Sequence, residues 1–308
     1  MKKVFIDGSA GTTGLRIHER LSARDDISVI TLSDEKRKDP LCRKEAINSA
    51  DIAFLCLPDD AAREAVSFIE NENTVVIDTS TAHRTEPYWA YGFPELSEEH
   101  LEKIESSKRI AVPGCHASGF IALVYPLVEK GVLSPETLLS CFSLTGYSGG
   151  GKKMIGEYEN GDRDVLLDAP RIYGLTQTHK HLKEMKAVTG INEFPVFMPV
   201  VAPFYSGMAV SIPLFASQVS ADINEIRKIY EEKYTWGMVS FKENIAENGF
   251  LSAGTFSCKD TMTVGVYGNG ERFTLEAVYD NLGKGASGAA IECMNIVLGN
   301  APSSGLTE

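Results

Sequence analysis

The chain has 308 residues, a formal net charge of -12 and an apolar fraction of 43%. That length suits two domains with ordinary cores, the acidic balance excludes a nucleic-acid-binding surface, and no apolar run is long enough to span a bilayer. Six cysteines lie scattered without a CxxC pair or metal-ligand spacing, which points to a reducing cytoplasm and to no metal site.

The N-terminus reaches a glycine-rich loop after only a few apolar residues, too few for a signal-peptide core, so residues 3–7 read as a first strand. The loop is Gly8-Ser9-Ala10-Gly11-Thr12-Thr13-Gly14, spaced GxxGxxG rather than GxGxxG. Glycines three apart after a strand allow a tight turn that brings backbone N–H groups against a pyrophosphate at the next helix start; an unliganded strand-to-helix turn is the plainer alternative. The spacing predicts a helix over 12–23, with Leu15, Ile17 and Leu21 on its apolar side, and a strand over 27–32. After that strand come Ser33, Asp34, Glu35, Lys36, Arg37 and Lys38. Ser33 and Arg37 suit the 2′-phosphate of NADP, the two acids suit a free ribose hydroxyl, and a solvated charge run is the third reading. A helix over 42–49, an apolar strand over 52–57, a helix over 61–69 and strands over 74–78 and 109–112 continue the series. Uninterrupted apolar strands fit a parallel sheet covered on both faces. The expectation is a Rossmann-like doubly wound α/β fold with its ligand beyond the C-terminal strand ends.

The strand over 109–112 breaks at Pro113-Gly114, and an apolar helix is expected over 117–129, which puts Cys115 at a helix N-terminus. Unpaired N–H groups and the positive end of the helix dipole favour thiolate there, the condition for a nucleophilic cysteine. Cys42, Cys56, Cys141, Cys258 and Cys293 lack that setting and read as packing or incidental residues. Beyond Cys115, strands over 138–145, 196–201, 208–214, 262–268 and 273–279 outnumber helices over 180–188 and 223–234. They suggest an inserted α+β domain on a mostly antiparallel sheet, followed by a helix over 285–298 that returns to the first domain. The division expected is 1–115 plus 285–300 for dinucleotide binding and 116–284 for catalysis and oligomerisation. A small, polar tail over 299–308 should fray.

Three further segments carry chemistry-bearing residues. Arg84, in Thr79-Ser80-Thr81-Ala82-His83-Arg84, offers a planar fork to a carboxylate or phosphate, while capping is an equal reading for the hydroxyls. The run Gly146-Tyr147-Ser148-Gly149-Gly150-Gly151-Lys152-Lys153 brings backbone close to a cofactor or phosphate, or forms a hinge. Thr178-His179-Lys180-His181 sets two imidazoles before a helix, and histidine titrates near neutrality without special tuning. No third and fourth ligand at metal spacing accompany them, so zinc is not expected.

Taken together, GSAGTTGLRI (8–17), FLCLPDDAAREAV (54–66), DTSTAHR (78–84), YGFPEL (91–96), VPGCHASG (112–119), GYSGGGKKMIGEYE (146–159), HKHLKEM (179–185) and NLGKGASGAA (281–290) resemble the short-form N-acetyl-gamma-glutamyl-phosphate reductase family. The resemblance runs from Gly8 to about Leu298. It implies reduction of N-acetyl-L-glutamyl 5-phosphate by NADPH to the 5-semialdehyde with phosphate release, in arginine biosynthesis, by a homo-oligomer (dimer or tetramer). It places the nucleophile on Cys115 and the acid/base on His179, with His181 and Tyr173 lining the substrate pocket. Protonated His179 and backbone N–H groups after Cys115 are then the expected oxyanion donors. Arg84 and Lys152 become candidates for the substrate anions. Gly8 to Gly14, Ser33, Arg37, Ser148, Gly149 and Gly150 become candidates for NADP. One departure is His116, where tyrosine is expected; it reads as a helix cap. The residues leave open which of His179 and His181 moves the proton, and whether the amino substituent is acetyl or a carrier protein. An aspartate-semialdehyde dehydrogenase-like acyl-phosphate reductase and a noncatalytic NADP-binding sensor are the rival readings.

Overall fold

The computed structural model describes residues 1–308, which divide into two compact units, Met1–Gly114 with Ala286–Leu306 and Cys115–Gly285 with Thr307–Glu308. In the first unit the elements run β1 (Lys2–Asp7), α1 (Thr12–Ser22), β2 (Ile27–Ile30), α2 (Pro40–Ser49), β3 (Ile52–Leu55), α3 (Asp59–Ser67), β4 (Val75–Asp78), β5 (Ala90–Tyr91), α4 (Glu98–Ser106) and β6 (Arg109–Ala111). All six strands pair in parallel, in the order β2-β1-β3-β4-β6-β5. Alternation along the strands explains their unbroken apolar character. Val4, Ile6, Ile52 and Phe54 pack with Ile17 and Leu21 of α1 and with Ile291 and Met294 of the C-terminal helix (Gly288–Val297). Phe5, Ala53 and Leu55 face Ala46 and Ile47 of α2 and Ala62 and Ala65 of α3. Both faces of the sheet are therefore buried.

The spacing predicts nothing between residues 78 and 109, where the chain forms β5 and α4. Helix α4 is capped by Ser97, whose hydroxyl accepts the His100 N–H, and only Ile104 of its residues is buried. A helix with one buried side chain carries almost no periodic signal. The tail is docked rather than frayed. The Asn295 amide donates to the Pro302 and Ser304 carbonyls at 2.8 and 2.9 Å, Arg24 reaches Ser304 O at 3.1 Å, and Thr307 N–H bonds Asp260 at 2.9 Å.

The second unit begins with α5 (Cys115–Glu129), β7 (Ser140–Gly146), α6 (Gly151–Glu159), β8 (Arg171–Ile172), α7 (His181–Thr189), β9 (Val196–Ala202) and β10 (Met208–Phe215). It continues through α8 (Ile223–Lys233), β11 (Val239–Phe241), β12 (Met262–Gly268) and β13 (Arg272–Tyr279). Its sheet order is β11-β12-β13-β10-β7-β9-β8. The sheet is mixed: β7–β9 and β11–β12 are parallel, the other neighbours antiparallel. Helices α5 and α8 pack on this sheet. The alternate residues Val196, Phe142 and Phe215 stand exposed, and the pairing register sets them on one face. No helix in the chain is long and apolar enough to cross a membrane.

Helix α5 is almost wholly buried and holds Pro126 inside it. Proline has no N–H for the Ala122 carbonyl four residues back, and its ring crowds that turn. Two tyrosines repair the damage: Tyr234 donates its hydroxyl to Ala122 O and Tyr230 to Leu123 O, each at 2.6 Å.

Candidate active site

Cys115 is the first residue of α5, directly after the Pro113-Gly114 break, as the sequence spacing requires. It lines a cavity of about 250 Å³ with His116, Gly149, Gly150, Tyr173, His179, Lys180 and His181 among its walls. The turn after β13 keeps space for it. Asp280 accepts the Leu282 and Gly283 N–H groups at 2.7 and 3.0 Å, and a side chain at Gly285 would bring its Cβ to 3.0 Å from that of Cys115. Asn281 ties the same turn to two loops, accepting Gly207 N–H at 2.9 Å and donating to Ser148 Oγ at 3.0 Å. Spacing alone marked neither Asp280, whose carboxylate closes its own turn, nor Asn281, whose partners lie far away in sequence.

The imidazoles form one cluster. Ring centroids lie 4.7 Å apart for His179 and His181, 5.7 Å for His116 and His179, and 5.7 Å for His116 and His181, with Phe197 packed against His116 and His179. His116 is no helix cap. Its Nδ1 meets Ser143 Oγ and its Nε2 meets Tyr173 Oη, each at 2.6 Å, so a neutral ring donates to one hydroxyl and accepts from the other. Burial, with a smaller contribution from His179, pushes its pKa down to about 3. His179 is drawn down to about 4 by burial and then by the Lys180 charge. The protonated His179 expected as an oxyanion donor is thus neutral near pH 7. Its Nδ1 accepts the His181 N–H at 3.2 Å, which leaves the proton on Nε2 as the available donor.

The remaining candidates separate. Lys152 is exposed on α6 and does not line the cavity, whereas Lys180, which the spacing did not single out, does. Ser148 is fully buried in the second unit, so its hydroxyl serves the Asn281 contact. In the first unit, Arg84 Nε donates to Val112 O at 2.8 Å and Nη2 to Thr79 O at 3.0 Å, which commits that part of the fork to holding the ends of β4 and β6. The neighbouring hydroxyls also tie the loop, Ser80 to Asp78 and Thr81 to Asp59.

A second cavity, of about 300 Å³, lies within the first unit and is lined by Gly8, Ser9, Ala10, Leu32, Arg37 and Lys38, together with Arg43. Gly8 and Gly14 are required by the chain itself: a Cβ would stand 2.3 Å from Cys56 O at the first and 2.4 Å from Gly8 O at the second. Gly11 is different. A Cβ there meets nothing nearer than 3.4 Å, so the fold does not demand glycine, whereas a ligand pressed against the loop does. Thr12 Oγ1 is buried at the start of α1 without a partner, a hydroxyl suited to a ligand oxygen. These features fit a dinucleotide. Ser33 and Lys36 do not line this cavity; the Ser33 carbonyl instead accepts the Lys36 and Arg37 N–H groups in a turn. Arg43, unmarked by the sequence pattern, bridges buried Asp7 at 3.0 Å and Glu64 at 2.8 Å.

A family profile described as semialdehyde dehydrogenase, dimerisation domain, matches residues 115–281, and one described as semialdehyde dehydrogenase, NAD binding domain, matches residues 37–104. N-acetyl-gamma-glutamyl-phosphate reductase 2 of Pseudomonas putida is 44% identical, over 96% of this chain and 96% of its own length. The chain belongs to the N-acetyl-gamma-glutamyl-phosphate reductase family. A second member, from Burkholderia lata, is 41% identical over 97% of this chain and 96% of its own. The family is one of oxidoreductases, and the stretch matched by the NAD binding description falls within the first unit. Aspartate semialdehyde dehydrogenase from Francisella tularensis superposes with a TM-score of 0.71 at 15% identity, covering 97% of this chain and 100% of that one. The Candida albicans enzyme, solved with NADP, gives 0.67 at 17%, covering 98% and 99%. Likeness at that identity bears on the fold alone.

The neutral imidazoles give a pH prediction. A histidine in the unfolded chain titrates near 6.5, while His116 and His179 resist protonation down to about 3 and about 4 when folded. Their contribution to stability is complete above pH 6.5 and is lost as pH falls toward those values, because the unfolded chain then binds more protons. His116→Gln, which keeps hydrogen-bonding groups but does not titrate, should make denaturant-measured stability fall less steeply between about pH 6.5 and 4.5. An unchanged slope would mean that His116 is charged in the fold.

Proposed function

We propose that the protein reduces N-acetyl-L-glutamyl 5-phosphate to N-acetyl-L-glutamate 5-semialdehyde with NADPH, releasing phosphate, in arginine biosynthesis and through a thioester on Cys115. The observation that carries the proposal is Cys115 at the first position of α5, sharing one cavity with His179, His181 and Tyr173. At that position the helix N-terminus stabilises the thiolate, which attacks the acyl carbon. Phosphate departs, leaving the acyl group on sulfur. Backbone N–H groups opening α5 and the Nε2–H of neutral His179 are the hydrogen-bond donors for the oxygen that gathers charge, and the departing phosphate takes its proton from solvent. Lys180 supplies positive charge beside that phosphate. A bound nicotinamide supplies the hydride that converts the thioester to the aldehyde level. Cys115 then leaves as thiolate, its starting state.

Residues Gly8 to Gly14 with Thr12 would hold the pyrophosphate, and Arg37 with Lys38 the adenosine 2′-phosphate. Arg37 already pairs with exposed Asp34 at 3.1 Å, so it must exchange that contact for the phosphate. A second copy of the chain fits the apolar sheet face that carries Phe142, Val196 and Phe215, consistent with the dimerisation description of the matching profile.

Two predictions follow from this chemistry. In the reverse assay, wild type should reduce NADP with N-acetylglutamate semialdehyde and phosphate far faster than with aspartate semialdehyde, and Cys115→Ala should abolish turnover while binding NADPH normally. Preference for aspartate semialdehyde would transfer the protein to the rival substrate, and activity in Cys115→Ala would exclude the thioester. Arg37→Ala should weaken NADPH about tenfold to a hundredfold at fixed salt, since a charge-assisted bond contributes about 1.5 to 3 kcal/mol, and should leave NADH almost unchanged. Equal loss for both cofactors would give Arg37 another role.

A further inference from the structure

In an undisturbed helix the Gly119 N–H would bond directly to the Cys115 carbonyl four residues back. Here the hydroxyl of Tyr279 reaches both of these groups, accepting the Gly119 N–H at 3.0 Å and donating to Cys115 O at 2.5 Å. We propose that Tyr279 is a positioning residue for the reaction: its hydroxyl, bonded to both the carbonyl of Cys115 and the N–H of Gly119 in the first turn of α5, sets the tilt of the Cys115–His116 peptide and so aims the His116 N–H at the oxygen that gathers charge. The inference rests on the thioester reading above.

The geometry of the peptide makes the connection. The unit is planar and trans, so its C=O and N–H point in opposite directions, and holding one fixes the other. The Cys115 carbonyl points along the helix to the phenol, and the His116 N–H, on the opposite side of the same peptide, points out of the helix start. The two other tyrosines on this helix serve Ala122 and Leu123, where Pro126 disturbs the backbone bonding. At Gly119 an N–H is present, so the phenol there compensates for no proline. The chain also keeps room for it: a Cβ at Gly119 would lie 2.7 Å from Tyr279 Oη and 2.7 Å from Val210 Cγ2. The ring is held firmly, since Tyr279 ends β13 and pairs with Met208 of β10 on one side and Met262 of β12 on the other. Its side chain is fully buried, and burial raises the phenol well above its usual range, so the donor keeps its proton.

Without the hydroxyl, the Cys115 carbonyl and the Gly119 N–H lose a buried partner, and the peptide is free to change its tilt. The test compares Tyr279→Phe with Tyr230→Phe, which removes a buried hydrogen bond to the same helix away from the thiol. Measured on each are kcat and KM for the acyl phosphate, the Kd of NADPH, the thermal midpoint, and iodoacetamide alkylation of Cys115 across pH. Tyr279→Phe is expected to lower kcat by about tenfold or more with KM and NADPH binding within about twofold, and to shift the alkylation profile. Tyr230→Phe is expected to lower the midpoint alone. Gly119→Ala, which displaces the phenol without removing it, is the second variant and should reproduce the kcat loss. If both tyrosine variants lose only thermal stability, Tyr279 is a structural residue and the inference fails. A wild type without reductase turnover overturns the proposed function instead; the alkylation comparison then still supports or overturns positioning by Tyr279.

Discussion

The site depends on one constraint: a buried, apolar helix begins at Cys115, so the sulfur and the N–H groups that open that helix share one end. Everything around α5 serves to hold that end still. The turn from Asp280 to Gly285 is closed by a buried carboxylate and kept bare of side chains where it meets Cys115. Three tyrosine hydroxyls bond carbonyls of the helix, at Cys115, Ala122 and Leu123. A proline that would weaken an exposed helix is tolerated because tyrosines supply the missing donors.

Charge is handled sparingly in the same cavity. His116 and His179 are packed on Phe197 and kept neutral by burial, so the thiolate and the phosphate would be the negative groups and Lys180 the positive one. A neutral ring whose Nδ1 is occupied by a backbone N–H presents a fixed Nε2 donor, which costs no reorganisation when charge develops on the acyl oxygen. His116 takes part in this economy by linking Ser143 to Tyr173, and the tyrosine hydroxyl is thereby held at the cavity that Cys115 lines.

Much of this was legible in the sequence because the signals are local. The Pro113-Gly114 break before an apolar run marked Cys115, glycines three apart marked the start of α1, and the unbroken apolar strands marked a sheet buried on both faces. Helix α4 escaped notice because only Ile104 is buried. Helix α6 was hidden behind the glycines that precede it and buries only Tyr158. The roles of His116, Tyr279 and Asn281 rest on contacts with residues distant in the chain, which no spacing rule reports. The docked tail is a similar case, because its small polar residues are held by Arg24 and Asn295 through backbone carbonyls, to which side-chain composition is blind.

The central claim is that Cys115 carries the acyl group. It is tested most directly by adding N-acetyl-L-glutamyl 5-phosphate to the protein without NADPH, quenching in acid, and locating the acyl mass by peptide mass spectrometry. The account predicts an N-acetylglutamyl adduct on the Cys115 peptide that disappears when NADPH is added before the quench. Release of phosphate and formation of aldehyde with no adduct on Cys115 at any time, or an adduct on another residue, would contradict it.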